Sequence, residues 1–150
     1  MLQYSIESVR IRSMNKAPVF LFLAGALWLV ACGTGAEDLE DKTWVLESYG
    51  EPDSLNTVLE DSEINITFDS AEGTVNGSAG CNSYFGDYEV KGNKLSLPGP
   101  IGSTLMSCGE EIDEQERQYL GALEVTESFK IEGDKLTINC GQQVLVFELK

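Results

Sequence analysis

The chain has 150 residues, with 25 acidic and 10 basic side chains, four Cys and no His. That length holds one domain with a short appendage and leaves no room for separate catalytic and cofactor domains. The lack of His excludes His-dependent nucleophile triads and His-bearing zinc sites, and a net charge of −15 argues against nucleic acid or anionic lipid as electrostatic partners.

Residues 1–31 differ from the rest. Arg10, Arg12 and Lys16 precede an unbroken apolar run of 15 residues, Ala17 to Ala31. A helix that crosses a bilayer core needs roughly 20 residues, so the run is too short to span. A basic start, a short apolar stretch and small residues at its end predict a signal peptide over 1–31. A buried core helix would carry polar residues on one face, and this run has none. Met1 and Met14 both offer a start for such a leader.

The boundary Leu29-Val30-Ala31-Cys32 resembles the bacterial lipobox, in which the Cys becomes the first mature residue and carries the lipid. This predicts lipidation at Cys32 and attachment to a membrane through the acyl chains. Each buried methylene contributes about 0.8 kcal/mol, so two or three chains anchor stably where one binds reversibly. Gly33, rather than Asp, follows the Cys, which resembles an outer-membrane address and predicts the periplasmic face of that membrane; the inner membrane is the alternative. The leader holds three basic residues and one acidic, so its removal takes the net charge from −15 to −17 over about 119 residues. Residues 32–42, small, polar and acidic after Cys32, read as a tether that holds the domain off the lipid surface.

From Thr43 the hydrophobic pattern alternates. Trp44 and Leu46 share a face with Glu47 opposite, and Ile64, Ile66 and Phe68 alternate with Asn65, Thr67 and Asp69. A turn at Ala71-Glu72-Gly73 leads into a weaker strand at 74–77. Tyr84, Tyr88 and Val90 alternate with acidic residues, and Lys91-Gly92-Asn93-Lys94 closes a hairpin into Leu95-Ser96-Leu97. Pro98 to Gly102 interrupts the sheet. A further hairpin, 128–131 with 136–138, and a last strand over 144–149 complete the chain. The expected fold is mainly β, a small antiparallel sheet, curled or barrel-like, of seven or eight strands. One helix over about 110–123 opens on Glu110, Glu111, Asp113 and Glu114, which suit the positive end of its dipole. Tyr119, Leu120 and Leu123 form its apolar stripe, expected to pack on the sheet.

Three Cys remain after Cys32. Cys140 is in phase with Leu136 and Ile138 and so faces the core, where a thiol behaves as a small hydrophobe. Cys81 and Cys108 stand at strand ends beside Gly80 and Gly109, and an exported chain favours an oxidised pair. The pairing read from these positions is Cys81 with Cys108. The rival is a reactive thiol: Glu110 and Glu111 would raise its pKa, and a helix start at Cys108 would lower it. The acidic clusters lack the spacing of a calcium loop, and no metal or cofactor site is read from them.

The run Gly80-Cys81-Asn82-Ser83-Tyr84-Phe85-Gly86-Asp87-Tyr88 resembles the Gly-Cys-Asn-x-Tyr-x-Gly-x-Tyr signature of the META domain, the family of HslJ-like bacterial lipoproteins. Thr104-Leu105-Met106-Ser107-Cys108 resembles its second signature, Thr-x-Met-Ala-Cys, with Ser107 in place of Ala. Thr43-Trp44-Val45-Leu46 resembles the opening strand, and the likeness runs over about residues 42–149, within an assigned domain of 43–150. The resemblance implies a small β fold with one helix, no catalytic residues, and links to the envelope and to stress and drug tolerance. The family does not require a Cys at position 140, so pairing with Cys140 is the alternative. On the residues themselves, Asn82 suits a loop that needs its side chain for backbone groups, Gly80 and Gly86 suit turns or bulges, and Tyr84 and Tyr88 suit walls with hydroxyls at a rim.

Three functions compete. The first is a non-enzymatic envelope lipoprotein that binds a lipid, peptide or envelope protein, which calls for an apolar groove at the sheet's open end with the helix as its lid. The second is an acidic inhibitor of a basic protein such as lysozyme, favoured by charge and by the format of a small disulfide-bonded lipoprotein. The third is an enzyme with Cys81 or Cys108 as its nucleophile or redox centre.

Overall fold

The computed structural model describes residues 35–150; the leader and Cys32 lie outside the described residues. The elements in chain order are α1 (Ala36–Leu39), β1 (Thr43–Glu51), β2 (Ser54–Thr57), β3 (Asn65–Asp69), β4 (Thr74–Ser78), β5 (Ser83–Asp87), β6 (Glu89–Lys91), β7 (Lys94–Ser96), β8 (Gly102–Ser103), α2 (Glu110–Glu124), β9 (Thr126–Glu132), β10 (Lys135–Cys140) and β11 (Gln143–Leu149). The strands join in one antiparallel sheet in the order β6-β7-β9-β10-β11-β1-β3-β4-β5-β8, with β2 paired to β1. β5 and β6 are halves of one extended segment broken at Tyr88, yet they pair near opposite ends of that order. The sheet therefore curls on itself.

Eleven strands replace the seven or eight expected, and each addition has a cause. β2 is polar and wholly exposed, so no alternation marks it. β8 is two residues long and follows the Pro-Gly-Pro interruption, pairing with β5 through Tyr84↔Ser103 and Phe85↔Gly102. The third arises where the single run over Tyr84 to Val90 splits at Tyr88. β1 bonds β11 along one edge and divides the other between β3 and β2, with a register shift between Leu46 and Ser48.

The interior is filled by Trp44, Ile64, Ile66, Phe68, Tyr84, Leu136 and Phe147, all fully or almost fully buried. α2 presents Gln115, Tyr119, Ala122 and Leu123, spaced along one face, and Tyr119 meets Tyr84 and Phe147 edge to face. The helix is thus a stopper seated in the core, and the open groove expected beneath a helical lid is replaced by side chains. Clefts on the described residues lie on the surface.

The tether expectation also needs correction. Leu39 is 0% exposed and its carbonyl accepts the Trp44 indole N–H at 2.9 Å. Glu40 accepts the Tyr88 hydroxyl at 2.6 Å, and Asp41 accepts both the Ser70 amide and its hydroxyl. The packed domain therefore starts at about Ala36, ahead of the expected Thr43. One apolar residue in an acidic run gives no periodicity to read, which is why the segment looks like a linker.

Gly77 in β4 is fixed by crowding. A Cβ there would stand 2.0 Å from the Asn65 carbonyl oxygen and 3.0 Å from the Tyr84 hydroxyl, so β3 and β5 close only over a bare backbone.

Candidate functional site

The two signature segments meet at one end of the sheet. Cys81 and Cys108 form a disulfide with a Cα–Cα distance of 5.8 Å across 27 positions, and Cys140 is free and buried. This is the pairing read from the strand positions. It ties up both thiols that a nucleophilic mechanism would have used. Burial pushes the Cys140 thiol up to about 11, so it stays protonated at neutral pH.

Asn82, 2% exposed, clamps the segment after β8. Its Oδ1 accepts the Met106 amide and the Thr104 hydroxyl, each at 2.8 Å, while its Nδ2 donates to the Met106 carbonyl at 3.0 Å. Thr104 Oγ1 in turn accepts the Ser83 amide, and the Thr104 amide donates to the Ser83 carbonyl. The signature asparagine thus satisfies backbone groups that have no ladder partner, the structural role its residue type suggests. Gly80 makes the approach possible: its φ is +110°, and a Cβ would lie 2.5 Å from the Ser62 hydroxyl. Gly86 differs from the expected turn or bulge, since it sits inside β5 opposite Val75 with room for a Cβ.

α2 supplies two carboxylates that residue patterning alone did not mark. Glu116 accepts the Asn82 amide and Asn82 Nδ2, both at 2.7 Å, and the Cys81 amide at 3.3 Å. Asp113, one turn earlier on the same face, accepts the Ser107 hydroxyl and the Cys108 amide. Those two hydrogen bonds, the Ser107 one foremost, hold the Asp113 carboxyl below its ordinary value, so it is ionised at neutral pH. The readable signal was the spacing of Asp113, Glu116 and Leu120 at i, i+3 and i+7, which places all three beside the loop. Gln115, on the core side, donates to Ser62 and accepts the Leu59 amide, fastening the loop between β2 and β3.

The tyrosines do not form a rim. Tyr84 donates to the Asn65 carbonyl at 3.0 Å and shares a 2.7 Å hydrogen bond with the Tyr119 hydroxyl, both rings being buried. With the Tyr84 proton on the carbonyl, Tyr119 is the donor between them. Burial raises both phenols well above their usual value. Tyr88 is likewise tucked against Phe68, edge to face, and its bond to Glu40 closes over α1.

These features define a disulfide-stapled, mainly β domain whose helix plugs the sheet and whose two Cys segments are sewn together by one asparagine. A family model of the META domain matches residues 37–150, and the chain belongs to the META domain family. An NMR structure of a protein from Burkholderia xenovorans is similar, with 27% identity and a TM-score of 0.64 over 76% of this chain and 85% of that one. A second NMR structure has 20% identity and a TM-score of 0.60, covering 77% and 95%. A crystal structure of a DUF4847-family protein from Bacteroides vulgatus has 15% identity and a TM-score of 0.52, covering 75% and 94%. The last two, at such identities, show the fold alone. No curated protein matches the sequence.

Among the described residues, no cluster of His, Cys, Asp and Glu is arranged to hold a metal ion. The arrangement at the signature segments joins its two sulfurs and turns its carboxylates to backbone amides, beside phenols that burial raises well above their usual value. What it does is hold a loop still.

Proposed function

We propose that the chain is a non-enzymatic lipoprotein of the cell envelope, anchored through Cys32 at the periplasmic face of the outer membrane. There it supports envelope integrity or stress tolerance by contacting a lipid, peptide or envelope protein. The observation that carries the reading is the Cys81–Cys108 disulfide. A structural disulfide suits an oxidising compartment outside the cytoplasm, and it leaves no exposed thiol on the signature segments. The leader and the Leu29-Val30-Ala31-Cys32 boundary support the anchor, and META membership supports the envelope setting. A filled interior favours contact through the surface over a ligand enclosed in the sheet.

The test is mass spectrometry of the protein recovered from membranes, combined with thiol titration. A mature chain starting at an acylated Cys32, with one thiol reactive after denaturation without reductant, is the expected result. An unmodified Cys32 in a soluble fraction would overturn the anchor, and three reactive thiols would overturn the staple.

The charge of −17 after leader removal favours a second reading, an inhibitor of a basic protein such as lysozyme. Binding to lysozyme that inhibits it and persists at 0.5 M salt would favour that reading; no inhibition at low salt removes it.

A further inference from the structure

The segment between β8 and α2 is immobilised by a disulfide, by both faces of the Asn82 side chain, by Thr104 and by Asp113. It buries nothing apolar: Leu105 is 95% exposed and Met106 is 61% exposed. On the neighbouring strand, Phe85 is 67% exposed, its ring lying over Gly102 of β8. Leu55 and Val125 are the other large apolar side chains exposed among the described residues. The fold therefore holds two aliphatic side chains in water on a rigid support.

Leu105 and Met106 form one wall of a surface cleft whose other wall is α2, with Leu120 apolar and Asp113 and Glu116 acidic; Asn82 lies between. Arg117 is the one cation in that lining, and Glu114 pairs with it. Glu110 and Glu111, on the first turn of the same helix, border a separate cleft with Glu114 and Gln115, so the acidic bank here is Asp113 and Glu116. An apolar lip with an acidic bank is complementary to a segment that alternates apolar and cationic side chains. A rigid lip also lowers the ordering cost of binding.

We propose that this cleft docks a cationic amphipathic peptide segment of a protein partner, whose apolar side chains seat against Leu105, Met106 and Leu120 and whose Lys or Arg face Asp113 and Glu116 of α2. The proposal rests on the envelope-partner reading and names its contact surface. Charge complementarity selects this occupant. A second copy would bring another strongly negative domain to the same place, and an anionic lipid surface would be repelled by the same carboxylates.

The test uses the full chain in phosphatidylcholine nanodiscs and a fluorescent 12-residue peptide of alternating Lys and Leu, read by anisotropy against empty nanodiscs. Two control peptides replace every Leu by Ser or every Lys by Glu. The expected result is saturable binding of the Lys-Leu peptide, at least tenfold weaker binding of both controls, and at least a tenfold loss in L105S/M106S. Equal binding of the Lys-Ser peptide would overturn the proposal, because charge alone would then suffice. So would unchanged binding by L105S/M106S with an unchanged Tm, and so would binding to phosphatidylglycerol vesicles without binding to the peptide. Any of these failures, with Cys32 acylated, removes the cleft and leaves the envelope anchor standing; an unacylated Cys32 removes the anchor whatever the peptide does.

Discussion

Two short segments outside the long strands treat their side chains in opposite ways. Residues 36–41 are acidic, yet Leu39 is fully buried and Glu40 and Asp41 are both hydrogen-bonded to the sheet domain. Residues 104–108 carry Leu105 and Met106, yet both side chains face solvent while the backbone is held on every side. The first segment uses one side chain to close the core. The second uses the core, through Asn82 and α2, to display side chains. Apolar content does not predict which residues stabilise the fold; the direction in which the restraints run does.

The sharpest way to break this comparison is to truncate the buried leucine. Leu39→Ala removes a fully enclosed side chain and loosens the cover over the Trp44 indole, so unfolding in urea should show a loss of about 2–5 kcal/mol. A loss below roughly 0.5 kcal/mol would restore residues 36–41 to the status of a linker.

The staple comes next. C81S/C108S opens a cross-link that closes 27 positions of chain, and the chain-entropy treatment gives about 3–4 kcal/mol for a loop of this size. The exposed setting of Cys108 makes the bond accessible, so mild reductant should cost the fold a similar free energy, read as a lower Tm. A reduced protein with an unchanged Tm would mean that the hydrogen bonds from Asn82, Glu116 and Asp113 suffice to hold the loop.

Much of this architecture was readable from the residues. The alternation at Ile64, Ile66 and Phe68 marks a strand wet on one side, and all three are indeed buried. The helical stripe at Tyr119 and Leu123 marks the stopper, and the in-phase position of Cys140 marks it as a core residue. What escaped has physical reasons. β2 and β8 are too short or too polar to carry a period. Tyr84 and Tyr119 are amphipathic, and only their apposition from β5 and α2 lets two phenols satisfy one another inside the core. Glu116 looks like a solvated helix residue until the Cys81–Asn82 amides arrive from a segment more than thirty residues away. The need for Gly77 is likewise set by the approach of Asn65, which no local pattern records.

Titration separates the core from the loop that α2 holds, at opposite ends of the pH scale. The Cys140 thiol is raised by burial from an ordinary value near 9 to about 11, and burial also raises Tyr84 and Tyr119. A raised pKa stabilises below the unfolded value, and that stability is lost as pH climbs toward the folded value. Stability should therefore decline from pH 9 to 11 by roughly 2–3 kcal/mol from Cys140 alone, with the tyrosines adding to the slope above pH 10. Cys140→Ala should flatten the first part of that decline, and an unchanged slope would place the titrating group elsewhere. Asp113 works the other way. Its carboxyl is held below an ordinary value of 3.8, so its contribution is present above that pH and is lost as acid protonates it, loosening the loop before the core.

The smallest expected effect is the one that most directly opposes Leu39. L105S/M106S removes two aliphatic side chains, more apolar surface than Leu39→Ala removes, but from positions where the folded chain leaves most of it in water. The transfer free energy of an apolar group enters stability only through the area that folding hides. Unfolding should then change by less than about 0.5 kcal/mol, or about 2 °C in Tm, while the amide pattern of residues 104–108 in NMR spectra stays that of the parent. A loss above roughly 1 kcal/mol would mean that Leu105 or Met106 is covered in solution, and the loop would join residues 36–41 as part of the core's closure.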